Sequence, residues 1–126
     1  MKQIIETDDA PAAVGAYSQA TTNGDLLFTA GQLPLTTTGE LLDEAPVAEQ
    51  TRQCLENVLA VIGEEGLDAS DLLKMTIYLA DIDDFDAMNE TYATFFARDP
   101  PARSAIEVGN VPKGAALEIE AIASND

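Results

Sequence analysis

The chain has 126 residues, 46% of them hydrophobic, and 23 acidic against 6 basic side chains give it a net charge of −17. That length and hydrophobic content fit one folded domain over residues 1–126, and no apolar run approaches the ~18 residues of a membrane-spanning helix. The absence of histidine removes imidazole chemistry, and six dispersed cations cannot build the stripe that neutralises nucleic-acid phosphates.

Read for hydrophobic period, Gln3 to Glu6 is a short strand and Ala10 to Ala16 a loop of small residues. Tyr17 to Thr22 and Asp25 to Ala30 flank Asn23-Gly24, a pair that tight hairpins favour because both turn positions take positive φ. Gln32 to Leu42, punctuated by Pro34 and Gly39, is an irregular connection. Pro46 suits a first helical turn, after which Val47, Thr51, Cys54, Leu55, Val58, Val61 and Ile62 recur on one face until Gly66. Cys54, the single cysteine, lies on that face and reads as a buried, reduced thiol. Leu73, Met75, Ile77 and Leu79 alternate with Lys74, Thr76 and Tyr78, which predicts a strand with the first four on its apolar face. Asp83 and Asp86 resemble an acidic cap for a second helix, whose stripe of Phe85, Met88, Tyr92, Phe95 and Phe96 ends before Pro100. Ser104 to Val108 and Ala116 to Ala123 are the last two strands.

The order is β-ββ-α-β-α-ββ, an α+β fold with both helices on one face of a sheet. In the final strand, alternation turns Leu117, Ile119 and Ala121 to the helices and leaves Glu118, Glu120 and Ile122 on the bare face. A bare face mixing apolar and charged groups suggests burial against other subunits, a closed ring being one arrangement.

With no metal-ligand cluster, phosphate loop or dinucleotide fingerprint, any chemistry runs on carboxylates, arginine, hydroxyls and backbone groups. Arg103, at the entrance of a strand, offers a planar fork of donors to a carboxylate, whether a ligand's or a neighbouring acid's. Glu118 and Glu120 share a sheet face, where a carboxylate can activate a water or simply belong to an acidic surface. Tyr17, beside the Gly15 loop, reads as a lid or as a packing aromatic. Asn89 falls on the helical arc away from Phe85, Met88 and Phe96, as a cap or surface amide would.

Five segments together resemble the RidA (YjgF) family of reactive-intermediate imine deaminases: Ala10-Pro11-Ala12-Ala13-Val14-Gly15-Ala16-Tyr17-Ser18-Gln19, Thr29-Ala30-Gly31-Gln32-Leu33-Pro34, Asn89-Glu90-Thr91-Tyr92, Pro101-Ala102-Arg103-Ser104 and Glu118-Ile119-Glu120-Ala121-Ile122-Ala123. The resemblance runs end to end. It implies a chorismate-mutase-like mixed sheet with two helices on one face and a homotrimer with sites in the clefts between subunits. It also implies hydrolysis of 2-imino and 2-enamino acids, such as 2-aminoacrylate and 2-iminobutanoate, to 2-keto acids and ammonia. No cofactor or metal is implied, and the substrates would come from pyridoxal-phosphate-dependent dehydratases. By position, Arg103 would clamp the substrate carboxylate, Glu118 would orient the water and the Ala105 carbonyl would face the imine nitrogen. Gly31, Tyr17 and Asn89 would line or cover the pocket. Ala16, Ala30 and Ala105 stand where the family often has proline, serine and cysteine. The alternative is a non-catalytic trimeric sensor that holds small 2-keto acids in the same cleft.

The N-terminus turns acidic at Glu6 before any signal-like stretch develops, so a cytoplasmic protein is expected. Acids spread along the whole chain repel one another in dilute buffer, and molar salt shortens the screening length to about 3 Å. A halophilic cytoplasm fits this charge, against the alternative of a generic acidic protein. The melting temperature should therefore rise by about 10 °C or more between ~0.1 M and ~2 M KCl. A melt indifferent to KCl would mark the acids as an ordinary low-salt surface.

Overall fold

The computed structural model describes residues 1–126. Six strands form one mixed sheet: β1 (Gln3–Ile5), β2 (Ala20–Thr22), β3 (Leu26–Thr29), β4 (Leu72–Leu79), β5 (Ala102–Glu107) and β6 (Leu117–Ser124), in the spatial order β1-β2-β3-β6-β4-β5. Helices α1 (Val47–Gly63) and α2 (Phe85–Ala93) pack beside each other, and α1 lies against β6 and β3. Every neighbouring pair of strands is antiparallel except β4 and β5, which are parallel and joined through α2, as a parallel pair requires. This is the expected α+β architecture with two helices and a mixed sheet.

The core forms between the helices and one face of the sheet. Cys54, Leu55, Val58, Val61 and Ile62 of α1 meet Met75, Ile77, Leu79, Leu117 and Ile119, all 0–1% exposed. The Cys54 thiol is buried as anticipated, and burial, with the charge of Glu118 second, pushes its pKa far up. It is no nucleophile at neutral pH.

Two side-chain amides of α1, Gln50 and Asn57, are also buried, at 3% and 1% exposure. Asn57 donates from its amide to the carbonyls of Leu33 (3.1 Å) and Leu35 (2.9 Å). Gln50 donates to the carbonyls of Asp43 and Ala45 and accepts from the Ala116 N–H. Between them they supply partners for carbonyls of the irregular connection, since a buried main-chain group left unpaired is costly.

Four local features differ from expectation. The hairpin forms, but its loop spans Asn23 to Leu26, and of the central pair only Gly24 takes a positive φ (+96°). Asn23 instead accepts at Oδ1 from the N–H groups of Asp25 and Leu26, at 2.9 Å each, and Tyr17 and Ser18 lie outside β2. In β4 the register shifts between Leu72 and Lys74, so Leu72 is 5% exposed and Leu73 points to solvent at 48%. A bulge adds one residue and inverts the alternation on its far side. The acidic cap before α2 is Asp81, which accepts from the Asp83 N–H at 2.9 Å and starts a 3-10 turn over Ile82–Asp84; Phe95 and Phe96 follow the helix. Strand β5 begins at Ala102, which places Arg103 within the ladder, paired with Met75.

The bulge has a direct test. Leu72→Ala should cost about 2–4 kcal/mol in denaturant unfolding, whereas Leu73→Ala should cost less than about 1. Equal losses would restore the uninterrupted alternation.

Candidate active site

Arg103 sits on β5 in the row of Met75, the row facing the helices. Its Nη1 donates to Asn89 Oδ1 on α2 at 2.7 Å, and its Cζ lies 4.8 Å from the Tyr92 ring centroid and 5.3 Å from that of Phe85. The guanidinium is thus oriented by a neutral amide and two aromatic faces, and it forms no hydrogen bond to a carboxylate. Phe85, Asn89 and Tyr92 lie at i, i+4 and i+7, one face of α2. Asn89 therefore shares the arc of Phe85 instead of lying away from it, and the surface-amide expectation fails. A cavity of about 390 Å³ opens here, lined by Asn89, Tyr92, Phe96, Pro101 and Arg103 among others.

A planar cation held this way keeps donors free for a ligand. Cation–π contacts within about 6 Å orient the group without neutralising it, as an ion pair would. Tyr92 is 4% exposed, its hydroxyl has no partner, and burial raises its pKa against the opposing charge of Arg103.

Glu118 occupies the other face. It pairs with Tyr78 on the uncovered side of the sheet, where its half-buried carboxylate lies against Gly31. A methyl group built on Gly31 would stand 2.5 Å from Glu118 Oε2 and 2.7 Å from Cδ, so only glycine admits this approach. No backbone group engages the N–H or C=O of Gly31. Burial, with the charge of Glu120 second, holds the Glu118 carboxyl above its ordinary value. Glu120 accepts from the Tyr78 hydroxyl at 2.6 Å, and that bond, with burial second, pushes Tyr78 up to about 12.

The sequence-derived residues fall into separate groups. Arg103 and Asn89 sit at the β5 edge on the helix side. Glu118 and Gly31 sit on the open face, about 10 Å away across the sheet and about as far along it. Ala105 is in the Arg103 row, and the Val108 N–H bonds Leu79 O (2.9 Å); the two-residue repeat then turns the N–H and C=O of Ala105 toward the free edge. Tyr17, 55% exposed, lies toward the β1 edge, with its hydroxyl 3.4 Å from the Val14 N–H. Its loop is anchored by buried Gln19, which accepts from Thr7 N–H and donates to the carbonyls of Thr7 and Pro11. Sequence reasoning missed Gln19, Tyr78 and the aromatic seat of Arg103. The i, i+4, i+7 spacing of Phe85, Asn89 and Tyr92 was the available signal for that seat.

On this α+β sheet the Arg103 guanidinium, seated by an amide and two rings, is chemically suited to pair with a small carboxylate. A family model described as Endoribonuclease L-PSP matches residues 7–125. RutC family protein PH0854 of Pyrococcus horikoshii is 47% identical over 124 residues, 98% of each chain. The Escherichia coli protein named "Putative reactive intermediate deaminase TdcF" is 45% identical over 127 residues, 98% of this chain and 97% of its own. The crystal structure of E. coli TdcF with bound serine matches at a TM-score of 0.93, with 43% identity over 98% of this chain and 99% of that one. The E. coli YjgF gene product matches at 0.93, with 42% identity and the same coverage. The chain belongs to the RidA/YjgF family, which these relatives and the matching model share.

The Glu118 environment carries a stability consequence. Its carboxyl is held above the ordinary 4.5, so the fold favours the protonated acid. Stability is lost as pH rises from 4.5 through the raised value, and the penalty persists at neutrality. Glu118→Gln should accordingly melt about 3 °C or more above the native protein at pH ~7, with the two curves converging below pH ~4.5. A variant that melts lower at neutrality would show that the carboxylate is stabilised by a partner instead.

Proposed function

We propose that the chain is a hydrolytic deaminase of reactive 2-imino and 2-enamino acids, releasing 2-keto acids and ammonia. We further propose that it works as a homotrimer in which Arg103 of one copy meets Glu118 of the next. The observation that carries this reading is the opposite-face placement of two groups suited to one substrate. A single copy cannot bring them together, whereas an uncovered face with Ile4, Phe28 and Ile106 each at least 45% exposed is suited to cover by another copy. The serine bound to E. coli TdcF supports an amino-acid-sized ligand.

In this mechanism the Arg103 fork binds the substrate carboxylate bidentately, with Asn89, Tyr92 and Phe85 fixing its plane. Glu118 accepts a proton from water as the oxygen adds to the imine carbon. Half-buried on the open face, Glu118 is the carboxylate placed to serve as that base. The proton passes to the nitrogen to give a carbinolamine; the remaining hydroxyl then yields its own proton through Glu118 to that nitrogen as the C–N bond breaks, so ammonia leaves and the oxygen becomes the keto oxygen. The Ala105 carbonyl, directed to the free edge, accepts from the nitrogen. An imine is already electrophilic, so the protein mainly needs to orient one water and one carboxylate. RNA cleavage, named in the family's description, finds less support, because the open face presents Glu118 and Glu120 where phosphates would need cations.

The test is ammonia release from 2-aminoacrylate, generated in situ by a dehydratase shown to tolerate the buffer. Native protein should accelerate it. Arg103→Ala should lower kcat/KM by about 100-fold or more, and Glu118→Gln should lower kcat comparably while 2-oxobutanoate still binds. Folded native protein that binds 2-oxobutanoate and gives no acceleration would assign the cleft to a ligand sensor.

A further inference from the structure

Strand β3 leaves the regular ladder just before Gly31. Between the pair Phe28↔Ile122 and the isolated pair Gln32↔Ile119, one side has three residues, Thr29, Ala30 and Gly31, and the other has two, Glu120 and Ala121. The extra residue makes a β-bulge. It takes from the Ala121 N–H the main-chain acceptor that a regular ladder would offer. Thr29 fills the gap: its side-chain Oγ1 accepts from the Ala121 N–H at 3.0 Å, in a site where Thr29 is 8% and Ala121 3% exposed. The bulge is tied on either side. Ala30 N–H donates to Gln19 O at 2.8 Å, and Gln32 exchanges both main-chain bonds with Ile119, at 2.7 and 3.0 Å. Gly31 lies between these ties with its Cα against the Glu118 carboxylate.

We propose that Thr29 is a positioning residue for Glu118: its hydroxyl replaces the missing ladder acceptor, locks the bulge and thereby seats Gly31 against the carboxylate. Thr29 faces the helices and Glu118 the open side, so it acts through the backbone and touches neither substrate nor carboxylate. Without the hydroxyl, the Ala121 N–H is buried and unpaired. The nearest relief is for β3 to slip into regular pairing, which erases the bulge and moves Gly31 off Glu118. The proposal rests on the deaminase reading only for the consequence to turnover.

The decisive measurement is the carboxyl ¹³C titration of Glu118 in the native protein, Thr29→Val and Thr29→Ser. Valine keeps the shape and removes the acceptor, while serine keeps the acceptor. The titratable groups coupled to Glu118, namely Glu120 and Tyr78 on the open face and the buried Cys54 across the sheet, are the same in all three, as is the Arg103 that the proposed trimer brings from the next copy. The midpoint should fall by about 0.5 unit or more toward the ordinary range in Thr29→Val and stay at the native value in Thr29→Ser. In turnover, Thr29→Val should lower kcat about tenfold or more with KM unchanged, because the Arg103 seat is untouched. A lower melting temperature alone, with native Glu118 midpoint and native kcat, would overturn the proposal. Should Thr29→Val fail to fold, Thr29→Cys takes its place: sulfur is a weak acceptor, and a midpoint equal to that of the serine variant would overturn the proposal equally. The titration needs no turnover. Native protein that fails to hydrolyse imines would sink the deaminase reading, while the midpoints would still decide the role of Thr29.

Discussion

The antiparallel pairing of β4 with β6 is the constraint on which the rest depends. From Leu79↔Leu117 to Lys74↔Ile122 it fixes two rows of side chains. Met75, Ile77, Leu79, Leu117, Ile119 and Ala121 turn to the helices and form the core, while Thr76, Tyr78, Glu118 and Glu120 turn away. β5 inherits the same alternation through its parallel register with β4, so Arg103 follows Met75 to the helix side. The separation of Arg103 from Glu118 is therefore a consequence of the period of two, beyond the reach of any rotamer. A site that uses both needs a second copy, and the proposed trimer supplies one.

The open face also suits the catalytic role proposed for Glu118. On the helix side, an ionised glutamate would be taken wholly out of water beside aliphatic groups, at a cost that would leave it neutral. On the open side Glu118 is half-buried, and Gly31 closes against it without a side chain to displace it. Partial burial raises its pKa while leaving the carboxylate open to solvent, as the proposed role requires.

Most of the architecture was legible because it rests on long periodic segments. The apolar stripe of α1 and the alternation of β6 each run for eight residues or more and matched the buried faces observed. What escaped was set by single residues. The bulge at Leu73 arises because Leu72 and Leu73 are equally apolar, and only the register with Ala123 and Ile122 decides which turns inward. Gln50, Asn57 and Gln19 look like surface amides, yet each is at most 3% exposed because a nearby irregular segment needs its hydrogen bonds. The place of Asn89 is hidden for a related reason: the apolar stripe runs on to Phe96, whereas α2 ends at Ala93, so the stripe as a whole does not define the helical arc. For the site, the residues of the two halves could be named from motifs, but their faces could be assigned only once β5 was known to begin at Ala102 and to run parallel to β4.

The electrostatics complete the logic. A chain with 23 acids and three arginines would be expected to neutralise each guanidinium with the nearest carboxylate. At Arg103 it supplies an amide oxygen and two ring faces instead. Each orients the cation, and neither brings a full negative charge that an incoming carboxylate would have to displace. In so acidic a protein the field repels anions in dilute buffer, so the anionic substrate proposed above would depend on this local exception. Salt that screens the distant acids removes the long-range repulsion, while the short-range clamp, formed at hydrogen-bond distance, is weakened far less. In the proposed trimer, the same screening that relieves repulsion between acidic copies would therefore also admit an anionic substrate, tying assembly and binding to one condition.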